Sequence, residues 1–320
     1  MARQFALRKH LAGLYGLVVF AALMLLSGAA FAADPSPSAS SSAPPLPLVG
    51  RPLDISVDGH HSDFLFDVTL VSVTVLFVAQ FLIMGYAVIK HRESTGSRAH
   101  YDHGAGRNNL LMIGVVSSTI FVIVDVTLLY FSFRDVNGIY WKMPSDPNTL
   151  KIEVVAQQWA WNVRYPGPDG KFNTDDDLVT INDLRVPTNR PVHVRLRSAD
   201  VIHSFYLPNF RTKQDAMPGM TTQIWFQAQE MGTKPGGSTY DIGCAQHCGS
   251  NHYKMHGVLT VYTPTEFDAW YRAATTDAKR RYDETDVSAH WGWDWDSYEN
   301  EQPAPKASAK PEEKHAEGEH

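Results

Sequence analysis

The pattern of apolar and polar positions divides this chain into parts built for different solvents. Two long apolar stretches, about Val68 to Ile89 and Leu110 to Phe133, are almost free of charge. Each is long enough to cross the ~30 Å hydrocarbon core of a bilayer as a helix. From about Leu150 the pattern breaks into short β-prone runs, such as Ile152 to Val155, Val192 to Leu196 and Gly257 to Tyr262, punctuated by Gly, Pro and Asn. Short strands with turn residues between them predict an all-β sandwich or barrel. Thr265 to Tyr282 then reads as an amphipathic surface helix.

The N-terminus carries Arg3, Arg8 and Lys9, an apolar run from Leu11 to Leu26, and Ala30-Phe31-Ala32. A basic start, an apolar middle and an A-x-A end predict a signal peptide over 1–32, cleaved after Ala32; a retained first transmembrane helix is the alternative. Residues 33–63, rich in Pro, Ser and Ala at their start, are expected to be a disordered leader and outer segment. A transmembrane hairpin follows over 64–134 and a β domain over 135–264. The C-terminal helix and a Trp-rich segment (His290 to Trp295) fill 265–298, and a disordered tail fills 299–320. Between the spans, Lys90, Arg92, Arg98 and Arg107 stand against Glu93 and Asp102. Cytoplasmic loops favour Lys and Arg, so the hairpin loop is expected inside and the β domain outside. The expected location is therefore the bacterial cytoplasmic membrane, multi-pass, with the β domain on the periplasmic face.

The chain has 320 residues, is 44% hydrophobic and carries a formal net charge of −6. Between Lys142 and Pro264, 12 Lys and Arg meet 11 Asp and Glu, so net charge gives no case for a basic partner, and any docking patch must be local; no nucleic acid is expected as a partner. Two acidic features stand out. Asp125 sits mid-span, where a carboxyl is expensive and faces protein or water: a subunit contact or a proton pathway. Asp169, Asp175, Asp176 and Asp177 crowd the segment Gly167 to Leu178, but the spacing is not that of an EF-hand, and a solvated hairpin loop is expected.

The chemistry concentrates in Cys244 to Met255, C-A-Q-H-C-G-S-N-H-Y-K-M, which holds both cysteines of the chain. A disulfide and a metal site compete for the same sulfurs. A disulfide has no use for the neighbouring His252 and Met255, whereas thiolate, thioether and imidazole together select copper, with a disulfide or a Cys-His zinc site as the alternatives. A mononuclear blue-copper site needs one Cys, and the second here gives two bridging sulfurs and room for two ions. A second imidazole must come from elsewhere, and His203 in S-A-D-V-I-H-S-F is the best candidate. No C-x-x-C-H occurs, so no covalent haem c is fused to the chain.

The C-x-Q-x-C-x-x-x-H-x-x-M loop, D-V-I-H-S-F, D-A-M-P-G and the aromatic Q-Q-W-A-W of Gln157 to Trp161 together resemble cytochrome c oxidase subunit II over roughly residues 60 to 275. The resemblance implies a membrane-anchored, cupredoxin-like Greek-key β-barrel with a dinuclear CuA centre. Cys244 and Cys248 would bridge two copper ions, and His203 and His252 would be terminal ligands. Met255 and the backbone carbonyl of Gln246 would be weak ligands. Trp159 would be the electron-entry residue; by pattern alone, Trp159 and Trp161 share one strand face and either could be core. The family usually has Glu where this chain has Gln246, which puts an interfacial magnesium ion in doubt. Implied partners are the oxidase's catalytic subunit I, cytochrome c or a similar donor, and the lipid bilayer. A nitric oxide reductase subunit or a copper-delivery protein would carry a similar donor set.

Overall fold

The computed structural model describes residues 50–96, 103–230 and 233–281. The expected signal peptide, most of the leader, Arg98, the Trp-rich segment and the tail lie outside the described residues. The chain divides into a helical unit holding His60–Trp141 and a β unit holding Asp54–Gly59 and the residues from Lys142 onward.

In the helical unit, α1 spans Gly59–Lys90. The second span, Arg107 to Tyr140, comprises α2 (Arg107–Ile120), a π-helical turn (Phe121–Asp125), α3 (Val126–Asp135) and a second π turn (Val136–Tyr140). Both spans have mean hydropathy 2.2 and expose nearly all of their apolar side chains, as helices surrounded by lipid do. Helix α1 at its N-terminal end and the second span at its C-terminal end run past the apolar core, where polar residues continue the helices and tie these ends together. Ser62 Oγ lies 2.5 Å from Tyr140 Oη, and Arg51 bridges Asp63 at 3.3 Å and Asp67 at 2.9 Å.

The β unit contains β1 (Leu150–Gln157), β2 (Ala160–Tyr165), β3 (Leu178–Ile181), β4 (Asp183–Pro187), β5 (Pro191–Ser198), β6 (His203–Leu207), β7 (Thr212–Ala216), β8 (Thr222–Gln227), β9 (Ser238–Cys244) and β10 (His256–Tyr262). They form two five-stranded sheets, in the orders β3-β2-β1-β5-β8 and β4-β10-β9-β6-β7. Residues of period two from both sheets, including Ile152, Val154, Val194, Leu184, Phe205 and Leu259, fill one shared core. β1 runs parallel to β5 and β4 parallel to β10, so the chain crosses between sheets instead of meandering. Helix α4 (Pro264–Arg281) opens with Pro264 and a capping box: Thr263 Oγ1 and N meet Glu266 Oε2 at 2.8 and 3.3 Å. Its Phe267, Trp270 and Tyr271 pack onto Tyr165 and the sandwich.

The acidic loop departs from expectation. Strand alternation points Glu153 away from the core, yet it is fully buried. The loop after β2 folds over the sheet and covers it. Arg164 pairs with Glu153 and gives 2.6 Å to Asn173 Oδ1, with Phe172 over its guanidinium. Arg195 adds a 3.4 Å contact to Glu153. Asp175 reaches Lys279 on α4 at 3.1 Å, and Asp176 is buried. An ion cluster on this face needs a cover, because a charge out of water must keep its partners. The acidic loop supplies that cover.

Candidate metal centre

Four segments meet at one end of the sandwich. His203 is the first residue of β6, and Cys244 is the last of β9, where Phe205 pairs with it. The loop from Ala245 to Met255 returns the chain to β10 and carries Cys248, His252 and Met255. The turn Gln158–Trp159 joins β1 to β2, with Gln157 opposite Ala160.

The sulfurs and imidazoles converge. Cys244 Sγ lies 3.8 Å from Cys248 Sγ, and both cysteines are free. A disulfide would need about 2.0 Å between them. Met255 Sδ is 3.7 Å from Cys248 Sγ and 3.1 Å from His203 Nδ1, and His252 Nδ1 is 3.5 Å from Cys248 Sγ. The Cys244 sulfur also lies 3.2 Å from the carbonyl of Gln246. His203, Cys244 and Cys248 form a group whose ligand atoms all lie within 4.8 Å of one another; His252 stands at its edge beside Cys248. His203 and Met255 are fully buried, Cys248 nearly so, and Gln246 is exposed. Two soft sulfurs at bridging separation, a third sulfur and two imidazoles match the donor preferences of copper.

The electrostatics split the two thiols. Burial pushes Cys244 up, but contacts to His203 and to the Ser204 and Gln246 backbone outweigh it, so its thiol ionises more easily than usual. Cys248 goes the other way: burial and the neighbouring Cys244 sulfur both resist a second thiolate. Burial lowers His203, and Cys244 with Asp200 more than offset this, holding it above the ordinary imidazole value.

Sequence reasoning missed two residues here. Asp200 Oδ1 lies 2.8 Å from His203 Nε2, which leaves Nδ1 for the sulfur side, and Asp200 Oδ2 accepts 2.7 Å from Gln158 N. Gln158 Nε2 in turn donates 2.9 Å to the Cys248 carbonyl, beside Trp159 Nε1 at 3.1 Å. A carboxylate on the far nitrogen of a ligating imidazole fixes its tautomer and aim. The D-x-x-H spacing of Asp200 and His203 carried that signal; nothing marked Gln158. The two tryptophans also separate, contrary to a shared strand face. Trp159 stands in the turn, partly buried, whereas Trp161 is fully buried, 5.1 Å from Phe205 and 6.1 Å from His203 by ring centroids.

Residues 150–261 match the family model described as cytochrome C oxidase subunit II, periplasmic domain. The alternative cytochrome c oxidase subunit 2 of Bradyrhizobium diazoefficiens is 30% identical over 226 residues, covering 63% of this chain and 76% of that protein. The chain belongs to the cytochrome c oxidase subunit II family. The cytochrome c oxidase subunit 2 of Thermostichus vulcanus is 37% identical over 123 residues, 38% of this chain and 33% of that protein. The solved periplasmic domain of subunit II of cytochrome oxidase (CoxB) of Bradyrhizobium japonicum is 26% identical with a TM-score of 0.36, the match covering 42% of this chain and 99% of that domain. As a member of the family, the chain is a subunit of a haem-copper oxidase, an oxidoreductase complex, with a catalytic subunit as its partner and copper as the metal implied for its His, Cys and Cys group. Its two long apolar helices make it membrane-anchored.

Proposed function

We propose that this chain is the electron-entry subunit of a haem-copper terminal oxidase, taking electrons one at a time from cytochrome c or a similar donor. They pass to haem in catalytic subunit I, where oxygen reduction is coupled to proton translocation. The observation that carries this reading is the pair of free Cys244 and Cys248 sulfurs 3.8 Å apart, ringed by His203, His252 and Met255. Cys244 and Cys248 would be the bridges, His203 and His252 the terminal ligands, and Met255 and the Gln246 carbonyl the weak ligands of a dinuclear CuA site. When bound, the two copper ions would supply a one-electron store.

The rest is the work of this chain's residues. Buried Met255, Trp161 and Phe205 exclude water from the inner side of the site. Asp200 holds His203, and the Gln158–Trp159 turn is fastened to the Cys248 carbonyl. Trp159, one hydrogen bond from that carbonyl, is the electron-entry residue. Gln246 brings no carboxylate, so a magnesium ion at the subunit contact lacks that ligand. The Lys and Arg of the loop between the two spans, Lys90, Arg92 and Arg107, support a cytoplasmic loop, and with it a copper domain on the periplasmic face of a bacterial inner membrane. The test is oxidation of reduced cytochrome c by the assembled complex. Cys248→Ser should abolish it while subunit I remains bound; turnover near the wild-type rate in that variant would remove the copper site from the electron path.

A further inference from the structure

The core takes Ile152 and Val154 of β1, Val192, Val194 and Leu196 of β5, and Ile224 and Phe226 of β8. Strand alternation therefore turns Glu153, Val155, His193, Arg195, Arg197 and Trp225 to the opposite face of that sheet. Register sets them side by side: Glu153 beside Arg195, Val155 beside Arg197, and His193 beside Trp225. With Lys151 at the start of β1, cations outnumber the one acid on these strands. Although they face away from the core, Glu153, Val155 and Arg195 are buried, and so is Asn162 beside Val155. The Asn162 Oδ1 has no hydrogen-bond donor among the described residues. The acidic loop meets this face at its β2 side, through Asn173 and Phe172 on Arg164. Buried charges must keep their partners and buried polar atoms want theirs, so β1, β5 and β8 call for a cover of their own.

The chain carries a segment of the matching chemistry. Residues 282–301 hold seven Asp and Glu and no Lys or Arg, and Trp291, Trp293 and Trp295 recur in them at a period of two. Helix α4 delivers this segment to the right place: it ends at Arg281, and its Lys279 lies 3.1 Å from Asp175 of the acidic loop. Trp291 follows Arg281 by ten residues, up to about 33 Å of extended chain, whereas β2 to β8 is three strand spacings, about 14 Å. We propose that residues 290–301 lie across the outer face of β1, β5 and β8, with the indoles on Val155, Trp225 and the Arg197 guanidinium and the carboxylates beside the cations. In an extended segment a period of two turns all three indoles to one side. Trp is the best partner for a guanidinium plane, and its N–H supplies a donor where Asn162 lacks one. The occupant is this segment because its charge is opposite to that of the face and its tether holds it at high effective concentration. None of these residues is a candidate copper ligand, so the inference stands apart from the copper reading.

The experiment uses the full chain, expressed with its catalytic subunit and purified in mild detergent. A photoreactive phenylalanine analogue at Trp293 should form adducts within the same chain, on peptides from β1, β5 or β8. Adducts that miss these strands and fall on the catalytic subunit, on a second copy of this chain or on lipid alone would overturn the proposal. Chymotrypsin, which cuts after Trp, reads how often the segment leaves the face. Arg197→Glu should speed cleavage within residues 291–295 by at least about tenfold, whereas Arg197→Lys, which keeps the charge, should stay within about threefold of wild type. The copper spectrum should be unchanged in both variants, which separates release of the segment from unfolding of the β unit. Cleavage of Arg197→Glu at the wild-type rate would overturn the proposal, and the adduct map tests it without altering the face at all.

Discussion

Replacing Trp161 by Ala and Trp159 by Ala should produce opposite phenotypes, although the two residues sit two positions apart. Trp161 is fully exposed to the core and not at all to water, wedged against Phe205 and His203. Its indole nitrogen has no partner among the described residues, so nearly everything it contributes is packing. Truncating a buried Trp costs ~3 to 5 kcal/mol. With a urea dependence of ~2 kcal/mol per molar for a domain of this size, the unfolding midpoint should fall by about 2 M. Trp159 loses one hydrogen bond to the Cys248 carbonyl, worth ~0.5 to 1.5 kcal/mol, together with partial packing. Its midpoint should fall by well under 1 M, or about 0.5 M for a loss of ~1 kcal/mol. The assay is protease resistance of the β unit against urea, run on the full chain in detergent, with cytochrome c oxidation measured on the same preparations. Trp159→Ala should slow electron entry with donor affinity and copper spectrum intact, and Trp161→Ala should lose copper and stability together. Equal midpoint shifts in the two variants, or a normal rate in Trp159→Ala, would refute the division of labour.

Asp200→Ala should weaken copper binding by about 10- to 100-fold, as loss of a carboxylate behind a ligating histidine does, and Asp200→Asn, which keeps an acceptor, should recover part of it; competition with a copper chelator reads both. Asp177 should make the β unit lose stability as pH rises. Burial pushes its carboxyl up to about 6, more than the bonds from Asn173 and Arg164 pull it back, so the folded chain binds more protons than the unfolded chain between about pH 4 and 6. That contribution, at most about 3 kcal/mol, is present at pH 4 and gone by pH 7, and Asp177→Asn should flatten the corresponding part of the urea midpoint profile. In sealed right-side-out membranes, added protease should cut the β-unit loops and spare Arg92 to Arg107; cleavage of that hairpin loop would invert the orientation.

Much of the site was legible because its chemistry is written locally. Cys244, Cys248, His252 and Met255 fall within twelve residues, and donor softness alone ranks copper first. The spans were legible from length and hydropathy, but the ends at Gly59 and Tyr140 were not: polar residues such as Ser62 continue the helix there, and Ser62 bonds across to Tyr140. The acidic loop misled. Four Asp in ten residues read as a solvated turn, and only the fold reveals that Glu153 and Arg164 lie in register on facing strands and require a lid. Asp200 was hidden for a related reason. Its partners lie three residues ahead and forty-two behind, and the second of these contacts is a product of topology.

The most direct test of the electron-entry reading is the EPR spectrum of the copper-loaded full chain, with copper counted per polypeptide. Two coppers and a seven-line hyperfine pattern, lost in Cys244→Ser and in Cys248→Ser alike, are the predicted result. One copper with a four-line pattern, or two coppers with an unchanged spectrum in either serine variant, would contradict it.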